Sequence, residues 1–207
     1  MYQIQKFLQI NTVISITKLD GLPVNMVSHA HGQGYADAHF IIPETINNID
    51  FGAGPYYTEQ GNFNTAGHVS FSTFKNIPKS LVQIEGGLFN SFRTLVMVDL
   101  LKKNKDKQSA YIAGDFYYTD GPTISKQNFN RFNFFGKYNL SISDQTALTA
   151  SASVFKSKWD ASGQIPTRAV ENNLIDRFGS IDPTEGGNTE RYNANITLAH
   201  YFNNGIS

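Results

Sequence analysis

From Leu81 to the end of the chain, apolar and polar residues alternate with a period of two. Such a pattern assigns alternate side chains to opposite faces of a β-strand. Val82, Ile84 and Gly86 share one face while Gln83 and Glu85 share the other. Ala110, Ile112, Gly114, Phe116 and Tyr118 alternate with Tyr111, Ala113, Asp115 and Tyr117. The same reading separates Phe132, Phe134 and Tyr138 from Asn133, Phe135 and Lys137, and Leu148, Ala150, Ala152 and Val154 from Thr149, Ser151 and Ser153. It also separates Tyr192, Ala194, Ile196 and Leu198 from Arg191, Asn193, Asn195 and Thr197. Residues 92–101 are strand-like but apolar on both faces, so the register there stays open. The pattern predicts six strands, near 80–89, 92–101, 109–118, 128–141, 146–157 and 188–202.

Several of these strands exceed the five or six residues usual in soluble sheets. They are joined alternately by turns, near 102–108 and 143–145, and by longer loops, near 119–127 and 158–187. Long dyad-patterned strands with alternating short and long connections are the signature of an outer-membrane barrel. The small polar set Ser151, Ser153, Asn193, Asn195 and Thr197 suits a wet lumen. A soluble antiparallel sandwich with one solvated face is the alternative that pattern alone leaves open.

Residues 1–76 have a different texture, dense in Gly and Pro turn residues. Short β-like runs fall at Val13–Leu19, Ile46–Phe51 and His68–Phe74, with a helical turn at Pro43–Ile46.

Composition narrows the function classes. The 207 residues carry 17 Lys+Arg against 17 Asp+Glu, and 16% are charged, against about 25% in ordinary soluble chains. A neutral chain with no basic block lacks the charge that phosphate contacts require, so nucleic acid is not an expected partner. The absence of Cys excludes a disulfide framework, a zinc–thiolate site and a thiol nucleophile. No G-x-S-x-G elbow or P-loop is present. No apolar run approaches the ~18 residues of a spanning helix, and Met1–Thr17 does not read as a secretory signal, because Gln3, Gln5, Gln9, Asn11 and Thr12 interrupt it. The Asn204-Gly205 pair predicts one more hairpin turn, as if the chain were cut within a meander.

A more specific string lies in the first part. Leu19-Asp20-Gly21-Leu22-Pro23-Val24 is followed by Ile42-Pro43-Glu44-Thr45-Ile46 and Ile49-Asp50-Phe51. Then come Gly54-Pro55-Tyr56, Gly61-Asn62-Phe63 and Thr65-Ala66-Gly67-His68-Val69-Ser70-Phe71, ending in Thr73-Phe74-Lys75. These ordered motifs resemble the plug domain of TonB-dependent outer-membrane receptors. Asp50 and Phe51 stand where that family commonly has Glu and Val. Asp120-Gly121-Pro122, Arg131-Phe132-Asn133, residues 159–166 and residues 176–187 resemble the first barrel strands and loops of the same receptors.

The resemblance covers the chain from about Lys18 onward. It implies an all-β fold: the C-terminal part of a plug domain at 1–76, then about six antiparallel strands of an incomplete transmembrane β-barrel at 77–207. The upstream plug half with its TonB box is not recognisable, and such barrels have twenty-two strands, so the chain is expected to be a piece of a larger receptor. The implied function is energised uptake of a scarce ligand, such as a metal chelate, siderophore or cobalamin-like compound, across the outer membrane of a Gram-negative bacterium. A TonB-type energy-coupling protein and outer-membrane lipid are the implied partners. No enzyme activity and no cofactor are implied. A small stand-alone barrel or sandwich acting in binding or adhesion is the alternative.

Candidate ligand contacts follow from residue chemistry and the resemblance together. His29, His31, Gln33, Tyr35, Asp37 and His39 lie in one Gly-flanked segment, which the resemblance assigns to loops that face the ligand. The His29/His31 pair with Asp37 also fits the donor set of a metal site, and a metal-dependent hydrolase is the enzyme reading of these residues. Trp159, Arg168 and Arg177 belong to the long loop, and such side chains dominate binding hot spots. Glu85 and Arg131 fall within strands, where a barrel would turn them to its interior.

Overall fold

The computed structural model describes residues 15–28, 34–61, 64–101 and 107–202. The chain divides into two compact units, with the boundary between Lys75 and Asn76.

The first unit is built on a mixed four-stranded sheet. Strand β1 (Ser15–Leu19) turns back into the short β2 (Leu22–Pro23), and β3 (Ile46–Ala53) precedes β4 (Gly67–Thr73). The order is β2-β1-β4-β3, with β1 parallel to β4 and the other pairings antiparallel. Asp20 and Gly21 make the β1–β2 turn with φ of 47° and 82°. Positive φ at both central residues is the hairpin geometry that Asp-Gly favours. Asn25 fixes the next segment: its side chain accepts the Thr17 amide at 2.7 Å and donates to the Gly34 carbonyl at 2.7 Å. Pro43–Thr45 form a 3-10 turn that opens β3, with the Thr45 hydroxyl returned to the Ile42 carbonyl at 2.7 Å. Leu19, Val24, Ala36, Phe40, Ile42 and Phe71 are its buried apolar residues.

The second unit is a six-stranded antiparallel meander. Strands β5 (Leu81–Gly87), β6 (Ser91–Asp99), β7 (Gln108–Thr119), β8 (Phe129–Ser143), β9 (Thr146–Asp160) and β10 (Gly186–His200) each pair with their chain neighbours. Among the described residues β5 and β10 do not pair with each other, so the sheet is open rather than closed into a small barrel. The six expected strands are all present, with ends shifted by at most three residues. The hairpin turn expected at Asn204-Gly205 lies outside the described residues.

Register divides the sheet into two chemical faces. Cross-strand rows on the apolar face read Gln108–Leu140–Leu148–Leu198, then Ala110–Tyr138–Ala150–Ile196, then Ile112–Gly136–Ala152–Ala194. They continue with Gly114–Phe134–Val154–Tyr192 and Phe116–Phe132–Lys156–Glu190. Along β8 this band runs from Phe132 to Leu140, the ~9 residues that a tilted strand needs to cross a bilayer. Ile84, Phe132, Phe134, Tyr192 and Ile196 are exposed on it. The opposite face carries Arg93, Asp115, Asn133, Lys137, Ser153 and Ser157, all buried. Leu95, Met97, Tyr111, Ala113, Phe135 and Phe155 are buried on the same face, so its buried side mixes charged, polar and apolar groups, where a soluble sheet with one solvated face has an apolar buried side.

Residues 92–101, ambiguous in the sequence, gain a register here. Arg93, Leu95, Met97 and Asp99 face the polar side, and Phe92 and Val96 are exposed on the other.

One end of the sheet carries the turn at Leu88–Asn90 and the two long connections, residues 120–128 and 161–185. The loops are tied to each other. Ile124 donates its amide to Phe178 at 2.9 Å, Asp160 to Gln127 at 2.7 Å, and the Asn128 side chain donates to Asp160 at 2.8 Å. A short helix α1 (Thr167–Glu171) lies in the longer loop.

Candidate functional site

The polar face of the second unit holds a chain of charges. Asp115, fully buried, accepts hydrogen bonds from Arg93 Nε at 2.5 Å and Arg131 Nη2 at 2.8 Å. Arg93 also donates to Glu85 at 3.3 Å, and the Gln83 amide donates to the same carboxylate. The Arg131 guanidinium lies 5.6 Å from the centroid of the Tyr117 ring, within cation–π range. Strand geometry explains the convergence. Arg93 pairs directly with Tyr117, and Tyr117 with Arg131, while Asp115 sits two residues along on the same face, the diagonal neighbour of both. Two cations and two carboxylates balance, so these charges are held inside by one another.

Glu85 and Arg131 were expected on an interior face, and both lie on the polar face. Their partners Arg93 and Asp115 were missed. Asp115 could have been found from its polar slot in the β7 alternation, but Arg93 sits in the run whose register is unreadable from sequence.

The sequence-derived ligand candidates are divided between the two units. His29, His31 and Gln33 lie outside the described residues. Tyr35 accepts the Met26 amide at 2.8 Å through its carbonyl. Its phenol is raised above its usual pKa, first by burial and then by the Asp37 charge. Asp37 Oδ1 accepts both the His39 amide, at 2.9 Å, and His39 Nδ1, at 2.6 Å. Asp37 thus closes a local turn with His39. Among the described residues no group of three metal-binding side chains comes together.

Trp159, next to last in β9, stands opposite Gly187, where an added Cβ would strike the indole ring. Arg168 on α1 and Arg177 are exposed, and neither forms an ion pair among the described residues. In the 120–128 loop, the Lys126 ammonium donates to Asp120 at 2.9 Å and the Tyr118 hydroxyl donates to it at 2.7 Å. These bonds, that from Lys126 first, hold the Asp120 carboxyl below its usual pKa, and the same contact raises that of Lys126. Asp182 is lowered by hydrogen bonds from the Thr184 hydroxyl and amide.

His68, read in the sequence only as part of a strand and motif, is a buried histidine. His68 Nε2 lies 3.2 Å from Asp50 Oδ2, and its ring meets Tyr57 edge-on at 4.6 Å. The lack of a Cβ at Gly52 makes room for that pair.

No protein-family model matches the chain, and no curated protein matches it. Solved structures do. The siderophore receptor PirA from Acinetobacter baumannii superposes with a TM-score of 0.65 at 16% identity, over 91% of this chain and 30% of that one. The fold is that of a TonB-dependent receptor. FpvA from P. aeruginosa, solved bound to heterologous pyoverdines, gives a TM-score of 0.63 at 17% identity, covering 93% of this chain and 26% of its own. The alcaligin outer-membrane receptor FauA from Bordetella pertussis gives 0.63 at 16% identity, over 93% and 28%. The chain therefore spans under a third of the length of these TonB-dependent receptors. They are transport receptors rather than enzymes.

Proposed function

We propose that this chain forms part of an outer-membrane receptor for energised uptake of a scarce ligand, a metal chelate such as a ferric siderophore. In this reading residues 1–76 are the C-terminal part of a plug domain and residues 77–207 the first strands of a barrel wall. The protein acts in the outer membrane of a Gram-negative bacterium with a TonB-type coupling protein. The observation that carries the reading is the chemistry of the six-stranded sheet, with an exposed apolar band on one face and buried, mutually paired charges on the other. Such a face suits lipid, and the backbone groups of β6 to β9 are satisfied between strands, while β5 and β10 need further strands on their outer edges. The solved receptors with this fold support the same class.

Trp159, Arg168 and Arg177, with Tyr35, Asp37 and His39 and the neighbouring His29, His31 and Gln33, are the proposed ligand contacts. Arg168 and Arg177 are exposed cations without an ion-pair partner among the described residues, suited to an anionic chelate. The work of the protein is then binding and conformational gating, with no covalent step.

Uptake of radiolabelled ferric chelates by iron-starved cells tests this reading. Uptake of at least one chelate is expected to require the gene and to stop when the TonB-type protein is deleted. Unchanged uptake of every chelate in the gene deletion would contradict it.

A further inference from the structure

The row above the apolar band at the long-loop end reads Tyr118–Asn130–Lys158–Asn188. All four residues lie on the same face as the band. Three lysines lie in this region, and two are already engaged. Lys156 donates to Glu190 at 3.0 Å and lies 5.9 Å from the Tyr192 ring centroid, while Lys126 is held by Asp120. The nearby carboxylates are engaged too. Glu190 also accepts the Tyr192 hydroxyl at 2.6 Å, and Asp160 accepts the Asn128 amide. Lys158 is exposed and makes no ion pair among the described residues.

A lone ammonium just above the Lys156–Glu190 pair, at the upper edge of the apolar band, is costly in hydrocarbon and favourable in a phosphate layer, which a lysine reaches by extending its stem. Adjacent strands lie about 4.8 Å apart, so Lys158 stands between two carboxamides at a spacing that suits several acceptor oxygens of one headgroup. The Asn130 amide donates to the Asn128 carbonyl at 3.2 Å and keeps a second hydrogen to give. Long loops mark the extracellular end of such sheets, which puts this row at the outer leaflet.

We propose that Lys158, flanked by Asn130 and Asn188, binds a phosphate of an outer-leaflet glycolipid on the lipid-facing side of the sheet. The inference rests on the membrane reading above, and its test separates the two.

The purified full-length protein is first floated with phosphatidylcholine vesicles, then incubated in detergent with bisphosphorylated lipid A and examined by native mass spectrometry. The Lys158→Gln variant is expected to retain about fivefold less of this lipid than the wild type, the worth of one lysine at a phosphate surface. Lys79→Gln, an exposed lysine ahead of β5, is expected to retain as much as the wild type, and lipid A stripped of phosphate is expected to bind as weakly to the wild type as the intact lipid does to Lys158→Gln. Equal retention by Lys158→Gln, or equal binding of the phosphate-free lipid, in a protein that floats would overturn the headgroup site and leave the membrane reading standing. A protein that does not float would overturn both.

Discussion

Asp20 and Thr73, 53 residues apart, are joined by two hydrogen bonds: the Thr73 amide donates to Asp20 Oδ1 at 2.9 Å and its hydroxyl to Oδ2 at 2.6 Å. The Asp-Gly turn between β1 and β2 is thereby fastened to the end of β4, and the Asp20 amide returns to Phe71 at 2.9 Å. Asp20 has two tasks, since it also holds a positive φ that Asp tolerates better than most residues.

Replacing Asp20 by Ala removes both acceptors and puts a less tolerant residue in the turn. Hydrogen bonds to charged groups contribute about 1.5–3 kcal/mol. The exchange protection of the Thr73 amide is therefore expected to fall about 10- to 100-fold, read by hydrogen exchange. Unchanged protection would mean that the clasp does not hold the end of β4.

The charges on the polar face are expected to be strongly coupled. Asp115→Leu leaves Arg93 and Arg131 without their shared anion, a loss of about 3–5 kcal/mol. The triple variant Arg93→Met/Asp115→Leu/Arg131→Met is expected to be more stable than Asp115→Leu, because the only charge then left without its partner is the half-exposed Glu85. Denaturant midpoints of the single and triple variants check this. A triple variant less stable than Asp115→Leu would mean that the charges act independently.

The Asp120–Lys126 contact has a definite pH sense. Its depressed carboxyl pKa means that the contribution is present above the usual Asp value near 3.8 and is lost only as pH falls through the lower folded value. Between pH 5 and 8 the carboxyl is ionised, so the loop tie is expected to be insensitive to pH there. An NMR titration of the Asp120 carboxyl carbon should give a midpoint below the usual value, and Lys126→Gln should raise it. A midpoint that Lys126→Gln leaves in place would remove Lys126 as the cause.

What the sequence conveyed depended on how far apart the interacting residues lie. Period-two patterning in β7 to β10 was legible because each strand carries its own evidence, as where Asp115 and Tyr117 oppose Ile112 and Phe116. β6 was not legible, since Leu95 and Met97 on one face match Val96 and Val98 on the other in hydropathy. Its register is decided by Arg93, which must reach Asp115 on the next strand. Asp37 shows how little residue chemistry alone says of a local contact: its chemistry fits a metal ligand, and its carboxylate accepts from His39 two residues away. The Asp20–Thr73 clasp was invisible as a contact, though both residues lie in motifs that the sequence singled out.

The central claim is that one face of the six-stranded sheet meets lipid and the other does not. These 207 residues have no cysteine, so once any cysteine elsewhere in the full-length protein is replaced, single substitutions can carry one nitroxide label each. Phe134→Cys, Ala152→Cys and Ile196→Cys sample the apolar face, and Gln83→Cys, Ser151→Cys and Asn195→Cys the polar face. Collision rates with dioxygen, which concentrates in lipid, and with a water-soluble nickel chelate are measured on the labelled full-length protein in bilayers. The expected result is alternation, with dioxygen dominant at 134, 152 and 196 and the nickel chelate favoured at 83, 151 and 195. Equal access of the nickel chelate to both sets would show a sheet bathed in water on each side and would contradict the membrane assignment.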